Sequence, residues 1–223
     1  MLRRSMLLLI LLFAAEVSAE TVDGGWTLAS SRERDGYPLE LYVETEKTPG
    51  RPAFRVETRL GVPPAEAASM LMDRMVSVEE SKPGERRRLL ERREREALVH
   101  TFIDLPFMFS DRELAIRIRH QDDAQTGVHR VEWSDENGAL PPAGAGVLRL
   151  QTDGYWEFRP DGPLGSQATY LSRAEVGGSL PSAMSNRLMR ARAIEAVADL
   201  QTLIRHHATV NVAAPPPEGI PHP

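Results

Sequence analysis

Histidine and cysteine most often carry metal or nucleophilic chemistry, and in this chain they form no recognisable catalytic pattern. There is no cysteine, which excludes disulfides, thiolate catalysis and a lipid-modified N-terminal cysteine. No Gly-x-Ser-x-Gly elbow or phosphate-binding loop is present, and no histidines have the His-Glu-x-x-His spacing of a zinc site. We therefore expect no catalytic residue, metal or cofactor. The six histidines are His100, His120, His129, His206, His207 and His222.

Arginine is the main group available for binding an anion, since every basic residue except Lys47 and Lys82 is an arginine. The densest run covers residues 86–96, where six arginines alternate with leucines and three glutamates. It supports two interpretations, a basic patch for anionic head groups or a solvated hairpin whose charges largely cancel, and we favour the second. The net charge of the whole chain is −5, so we expect no nucleic-acid partner.

Residues 1–19 have the pattern of a secretory signal peptide. Two arginines stand near the start, an apolar run extends from Met6 to Ala15, and small residues precede Glu20. The apolar run is too short for a membrane-spanning helix, which needs about 20 residues. We expect cleavage after Ala19 and export to the periplasm or the medium, with an uncleaved anchor as the alternative.

The remaining chain is long enough to bury one large core as a single domain. Alternating apolar and polar residues predict strands at 39–43 and 54–60, and Pro63-Pro64 predicts the start of a helix through Met72. We expect a short helix at 26–34. Four further strands are predicted at 86–93, 98–104, 112–120 and 127–134. Because no helices separate them, we expect these four strands to pair antiparallel.

The last third of the chain predicts two strands and a long helix. One long strand runs from Gly146 to Pro160 and a second from Ala168 to Val176. A helix follows near Pro181, and its apolar stripe carries small residues such as Ala193 and Ala196. The pattern alone leaves open whether this helix is a lid over a cavity or packs on a solid core. We expect residues 209–223 to be a disordered, proline-rich tail.

Three segments of the chain resemble START domains, the lipid-transfer fold of the steroidogenic acute regulatory protein and its relatives. The first is Ser110-Asp111-Arg112-Glu113-Leu114, with glutamate where the family has aspartate at the head of a central strand. The second is Gly146-Val147-Leu148-Arg149 followed by Tyr155-Trp156-Glu157-Phe158. The third is Gly178-Ser179-Leu180-Pro181 with Asn186. The resemblance extends from Trp26 to His207.

The resemblance implies an α+β helix-grip fold over residues 20–208, with a curved antiparallel sheet of about nine strands around a hydrophobic tunnel. The C-terminal helix closes the tunnel, and the turn from His120 to Gly127, helped by residues 138–146, is the expected mobile loop. The implied function is lipid binding or transfer, with one phospholipid, fatty acid or sterol-like molecule held inside. We expect a monomer that contacts membrane surfaces transiently.

The inward-facing positions of the predicted strands and helix are the candidates for lining the tunnel. They share apolar character and a common face: Leu114, Ile116, Ile118, Trp156, Phe158, Tyr170, Ala174, Met189, Ala193, Ala196 and Leu200. In sterol-binding members of the family an arginine paired with an acid lies inside the tunnel. Here the aligned inward position is Ile118, with Arg117 and Arg119 facing outward, which implies a drier tunnel.

The candidates for polar head-group contacts are Arg112, Arg149 and His129. For the two arginines the alternative is a structural ion pair on the sheet, and we favour that alternative. Another alternative is an enzyme of the same fold, cyclase- or hydrolase-like, in which Arg112, Glu113 and Arg149 act together on a hydrophobic substrate. A third is an emptied fold that serves as a protein-interaction module.

Overall fold

The structure, a computed structural model, describes residues 21–22, 24–34, 36–45, 51–77, 84–105, 109–175, 178 and 182–213. The predicted signal peptide and residues 214–223 of the predicted tail lie outside this part of the chain, as do residues 46–50 between the first two predicted strands.

One large sheet forms the body of the molecule. Ten strands follow one another antiparallel in the order β1-β2-β3-β4-β11-β10-β8-β7-β6-β5, and β9 joins β7 in parallel. The strands are β1 (Thr21–Val22), β2 (Trp26–Arg34), β3 (Tyr37–Glu44), β4 (Ala53–Leu60), β5 (Glu85–Arg92), β6 (Glu96–Ile103), β7 (Asp111–Asp123), β8 (Val128–Asp135), β9 (Val147–Arg149), β10 (Gln151–Pro160) and β11 (Ser166–Glu175).

Two helices cover the inner face of this sheet. The first, α1 (Pro64–Val76), begins with Pro64, as predicted, because a proline in the first turn lacks only an N–H that would have no partner there. The second, α2 (Ser182–Ala213), extends into the predicted tail. Residues 209–213, which we assigned to the tail, are helical, since no proline or glycine interrupts the chain between Ser182 and Ala214. The main packing partners of α1 are β8 and β10, and those of α2 are β4 and β11.

The prediction of a short helix at 26–34 is wrong, because this segment is the strand β2. Its backbone pairs with β3, and the register shifts by a bulge between Leu28 and Ser30. A bulge adds one residue to a strand, so apolar positions on either side of it no longer alternate. The alternation that identified the other strands is therefore hidden in this one.

The predicted strand from Gly146 to Pro160 is interrupted at Leu150. The first part, β9, pairs in parallel with the start of β7, and the second part, β10, pairs with β8 and β11. The side chain of Asn137 holds the break: its amide donates to the carbonyl of Leu150 at 2.7 Å and accepts from the N–H of Ala115 at 3.0 Å. Backbone groups that the sheet leaves unpaired at this point are thus satisfied by a side chain.

The main hydrophobic core lies between the inner face of the sheet and the two helices. Four aromatic side chains of the inner face form a continuous group in which Trp133 stacks on Tyr170, Tyr170 contacts Trp156, and Trp156 stacks on Phe158. Offset stacking of this kind adds to the free energy of burying the rings. The aromatic group therefore fixes the centre of the inner face.

We predict that Gly154→Val strongly destabilises the protein. A β-carbon at this position in β10 would overlap the carbonyl oxygen of Leu171 and the ring of Trp133, so the aromatic group would have to move. Overpacking of this kind costs about 1–3 kcal/mol, measurable by urea unfolding. The control Gly144→Ala, whose nearest non-neighbouring atom lies 3.8 Å from an added β-carbon, should unfold like the wild type. Equal unfolding midpoints for the two variants would contradict the prediction.

Candidate functional site

Most of the predicted tunnel residues meet on the inner face of the sheet. Nine of the eleven belong to the main core cluster or pack against it: Ile116, Ile118, Trp156, Phe158, Tyr170, Met189, Ala193, Ala196 and Leu200. Ala174 is buried near the end of β11 and Leu114 is partly exposed on β7, and neither is part of that cluster. The structure thus places the candidates of the sheet and of α2 opposite one another.

Sequence reasoning missed several residues of the same face. Trp133 and Val131 of β8 lie beside Ile118 and Trp156, and Val56 of β4 lies beside Tyr170. The alternation of β8 and β4 would have identified them, had their register with β7 and β11 been known. On α2 the missed residue is Gln201, which is buried beside the predicted apolar stripe.

Tyr170 has an unusual environment. Its register neighbours Trp156 and Val56 are fully buried, yet Tyr170 itself retains partly accessible surface. Burial nevertheless raises the pKa of its hydroxyl, while a hydrogen bond with Ser172 opposes that rise. Ile116, beside the buried Val99, is likewise partly accessible. Accessible surface therefore occurs within the inner face and not only at its rim.

Three cavities of the described part of the chain lie outside the predicted tunnel face. The largest, about 650 Å³, is an open groove between β2, β3 and α2 lined by Ser30, Arg32, Leu41, Ile194 and Ala198 among others. A second, about 290 Å³, lies on the outer face of the sheet beside Arg119, Arg130 and Tyr155. The third, about 20 Å³, is bounded by Phe54 and Asn186. No predicted tunnel residue lines any of the three.

Ile118 lies on the inner face and is fully buried, between Ala97 and Trp133 in the register. The arginines on either side of it face outward. Arg117 forms ion pairs with Glu136 and Glu96, and these hydrogen bonds raise the pKa of its guanidinium. Arg119 pairs with Glu96 at 3.0 Å. At this point in β7 the inner face is apolar and the outer face carries the charge.

Arg149 was a candidate for a head-group contact, with a structural ion pair as the favoured alternative. Its guanidinium lies on the outer face, 3.2 Å from Glu113, and donates to the carbonyls of Asn137 at 2.8 Å and of Pro141. The cause is the parallel pairing of β9 with β7, which places Arg149 beside Glu113. This is the ion pair that we favoured as the alternative.

Arg112 lies at the start of β7, on the inner face of the sheet, and is only 3% exposed. It donates a hydrogen bond to the carbonyl of Ser110, and burial lowers the pKa of its guanidinium. Gly178, which precedes α2, lies against it, because a β-carbon there would be 3.1 Å from the guanidinium and 2.9 Å from Leu148. Arg112 therefore marks the end of the inner face where α2 begins. Since Glu113 and Arg149 are on the other face, the three residues of the enzyme alternative are not brought together.

His129 stands at the opposite end of the sheet. Its ring stacks on that of His120, with 3.1 Å between Nδ1 of His129 and Nε2 of His120. The segment from His120 to Gly127, which we expected to be a mobile loop beside the lid, comprises the end of β7 and a tight turn held by Asp123. It is separated from Arg112 by 8 to 11 residues of β7, roughly 26–36 Å at 3.3 Å per residue. A mobile loop beside the lid at this place stays a prediction.

The stretch 138–146 has one buried residue, Leu140, which packs with Leu98 and Ala115 in a separate small cluster on the outer face. The arginine-rich run 86–96 forms the hairpin of β5 and β6, as in the interpretation that we favoured. Arg87 pairs there with Glu85 at 2.6 Å.

No group of three or more metal-binding side chains occurs among the residues that the structure describes. Among the same residues, no helix is long and apolar enough to cross a membrane.

Comparison with known proteins gives the fold. No family model matches the chain. An uncharacterised protein of Pseudomonas aeruginosa is 25% identical over 171 residues, covering 76% of this chain and 82% of that protein. The structure resembles a STAR-related lipid transfer protein of Xanthomonas axonopodis, with a TM-score of 0.67, 23% identity, and coverage of 82% and 99% of the two chains. The protein has the START fold.

Human START structures agree with this assignment. Human STARD10 matches with a TM-score of 0.67 and 14% identity over 84% of this chain and 76% of its own. Human StAR-related lipid transfer protein 5 matches with a TM-score of 0.62 and 16% identity, covering 84% and 89%. The helix-grip fold predicted from the three sequence segments is therefore confirmed, with an antiparallel sheet closed by α2.

We predict that His120 makes the START fold less stable on mild acidification. Burial, followed by the charges of His129 and Arg95, lowers the pKa of His120 against the opposing effect of Asp122. A histidine with a lowered pKa contributes stability that is fully present above its unfolded pKa, about 6.5, and is lost as the pH falls below it. In urea unfolding at pH 7.5 and 5.5, His120→Gln should lose less stability than the wild type. The exposed control His206→Gln should lose as much as the wild type, and an equal loss in His120→Gln would contradict the prediction.

Proposed function

We propose that this protein is an exported, non-enzymatic lipid carrier that holds one hydrophobic molecule between the inner face of its sheet and α2. The observation that carries the proposal is the apolar inner face with accessible surface at Tyr170 and Ile116, among neighbours that are buried. Side chains in a solid core have no such surface, whereas those at the wall of an internal space do. The lipid-transfer proteins that share the fold add support to this interpretation.

The arrangement of the helices supports a space on one side of the inner face. The main contacts of α1 are with β8 and β10, and those of α2 with β4 and β11. The inner faces of β6 and β7 lie outside these main contacts, and this is where Leu114 and Ile116 are partly exposed. We assign the tunnel to the region between these strands and the apolar stripe of α2.

The chemistry of this region suits a hydrocarbon chain. Ile116 and Tyr170, which keep accessible surface, stand among the buried apolar side chains of the inner face, and the arginines nearby on β7 turn outward into ion pairs. Burial of a methylene contributes about 0.8 kcal/mol, so a chain of about 16 carbons gains on the order of 12 kcal/mol from a matching apolar wall. That gain offsets the cost of removing the lipid from a bilayer.

We further propose that the first turns of α2 contact the membrane. Met184 and Leu188 are four residues apart on one face of the helix and are 52% and 45% exposed. Exposed arginines, Arg187 and Arg190, stand on the same turns. Large apolar side chains flanked by arginine are typical of helices that lie at a lipid surface. This end of α2 also adjoins Arg112, at the mouth that we assign to the tunnel.

Export rests on the pattern of residues 1–19, and we propose that the mature protein begins at Glu20 and acts as a monomer in the periplasm or the medium. N-terminal sequencing of the protein recovered from the periplasmic fraction tests this. A protein that stays in the cytoplasm with Met1 intact would contradict it.

Native mass spectrometry of the purified protein tests the carrier function. After incubation with phospholipid vesicles supplemented with neutral lipids, we expect one added mass per chain, equal to that of a single lipid. We expect one lipid per chain because the proposed tunnel is a single enclosed site. A chain that stays empty with every vesicle composition would refute the proposal.

We predict that Ala196→Trp blocks lipid uptake while the protein stays folded. Ala196 packs against the main core cluster from α2 and is only partly buried, so an indole there occupies the space that we assign to the lipid. We expect lipid occupancy in the same mass-spectrometric assay to fall at least about tenfold. Ala191→Trp, on an exposed position of the same helix, is the matched control. Unaltered binding by Ala196→Trp would show that this face of α2 does not line the tunnel.

A further inference from the structure

We propose that the free edge of β2 binds an extended acidic segment of a partner protein, which adds one strand to the sheet. The segment lies beside the open groove between β2, β3 and α2. This inference is independent of the carrier function, because neither β2 nor the groove belongs to the region that we assign to the lipid.

The edge of β2 is open over most of its length. The short strand β1 pairs only with Trp26 and Thr27, and no other strand of the described residues borders β2 on that side. Residues 28–34 therefore present an edge of roughly 23 Å, at 3.3 Å per residue, whose backbone groups no strand pairs. Such an edge is a template for a further strand. Extended peptides bind sheet edges in this way, because backbone hydrogen bonds supply affinity and alternate side chains supply specificity.

A groove runs along this edge on the inner side of the sheet. It has a volume of about 650 Å³ and lies between β2, β3 and one flank of α2. Ser30 and Arg32 point towards it, because their register neighbours Leu41 and Leu39 belong to the main core of the inner face. Leu41 and Ile194 contribute apolar surface to its lining. The inward side chains of an added strand would therefore meet an open groove that contains apolar surface.

The charge of the groove selects an acidic occupant. Its lining carries three arginines and two acids: Arg32, Arg34, Arg190, Glu195 and Asp199. The excess is positive, although the whole chain has a net charge of −5. Arg32 and Arg190 are exposed, and neither forms an ion pair with a residue that the structure describes. These two guanidinium groups are available to carboxylates, which the planar fork of arginine binds with two hydrogen bonds.

The register of β2 predicts the pattern of the bound segment. Inward side chains of an added strand stand opposite Ser30, Arg32 and Arg34, because side chains on one face repeat every two residues. Acidic residues opposite the two arginines form favourable cross-strand pairs. Arg34 already interacts with another group of the chain, but a guanidinium has several N–H donors and can bond a second acceptor. Opposite the small Ser30, an apolar side chain reaches Leu41 and Ile194. The expected pattern is therefore two acidic residues and one apolar residue at alternate positions.

A second copy of the chain fits this edge less well. In an antiparallel pair related by a two-fold axis, the inward residues of one strand face the inward residues of the other. With full overlap of residues 30–34, Arg32 would face Arg32 of the second copy, and like charges directly opposite one another destabilise a strand pair. The charges of β2 thus oppose self-association and favour an acidic segment.

Selection from a random peptide library displayed on phage tests the proposal without knowledge of the partner. The purified protein is immobilised, and peptides of about ten random residues, the length of a long strand, are selected on it. We expect the recovered peptides to share two acidic residues and one apolar residue at alternate positions. Fluorescent synthetic copies of these peptides then give dissociation constants by anisotropy.

Charge reversal assigns the binding to the groove. Arg32→Glu should weaken binding at least about tenfold, because it places a carboxylate opposite an acidic residue of the peptide. A peptide whose acidic residues are replaced by arginine should bind Arg32→Glu more tightly than the wild type. The matched control is Arg59→Glu, which reverses the charge of an exposed strand arginine far from the groove and should leave the affinity unchanged.

Hydrogen exchange measured by mass spectrometry reports the backbone pairing itself and needs no variant. With saturating peptide, the amides of residues 28–34 should exchange at least about tenfold more slowly, because the added strand bonds the edge of β2. Protection that appears elsewhere, or not at all, would show that the peptide is held by charge alone and would overturn the proposal.

The other outcomes are equally decisive. A library that yields no enriched peptide, or peptides that bind Arg32→Glu as tightly as the wild type, would refute the site. A protein that sediments as a dimer, with residues 28–34 protected in the absence of peptide, would show that a second copy occupies the edge. None of these results bears on lipid uptake, so the carrier function stands or falls separately.

Discussion

The packing of α2 against only part of the inner face is the constraint on which the rest of the structure depends. Its buried stripe rests on β4 and β11, while α1 covers β8 and β10. An antiparallel sheet of ten strands has more inner surface than two helices can cover, because each helix is about 10 Å wide. On β7, Leu114 and Ile116 keep accessible surface outside these contacts, and in the proposed function this is the surface that a lipid covers.

The two faces of β7 divide the chemistry of the molecule between them. On the outer face, Arg117 is held by glutamates of three different segments, and Glu113 is shared between Arg149 and His100. Pairs at the surface contribute little to stability one by one, but a network gives each charge a partner outside the core. The inner face is left apolar over the length of Ile116 and Ile118. The groups proposed for an enzyme are thereby separated by the thickness of the sheet.

Two polar groups of the inner face bear on the position of α2. Arg112 lies beside Gly178, just before α2 begins, and Gln201 on α2 bonds Thr58 on β4 some turns further along the helix. Because Gln201 bonds Thr58 only when the two elements are aligned, this pair gives the helix a fixed register on the sheet.

The sequence by itself determined most of the strands, where α1 begins and which side of β7 and β10 is apolar, because alternation and proline chemistry act between near neighbours in the chain. It also carried the three segments that indicate the START fold. The tertiary structure alone decided that 26–34 is a strand, since a bulge hides its alternation, and that β9 runs parallel to β7, since Asn137 from a distant turn holds the break. That pairing moved Arg149 to the outer face. The hydrogen bond of Gln201 likewise depends on Thr58, more than 140 residues away, and contacts of such separation leave no periodic signal in a single sequence.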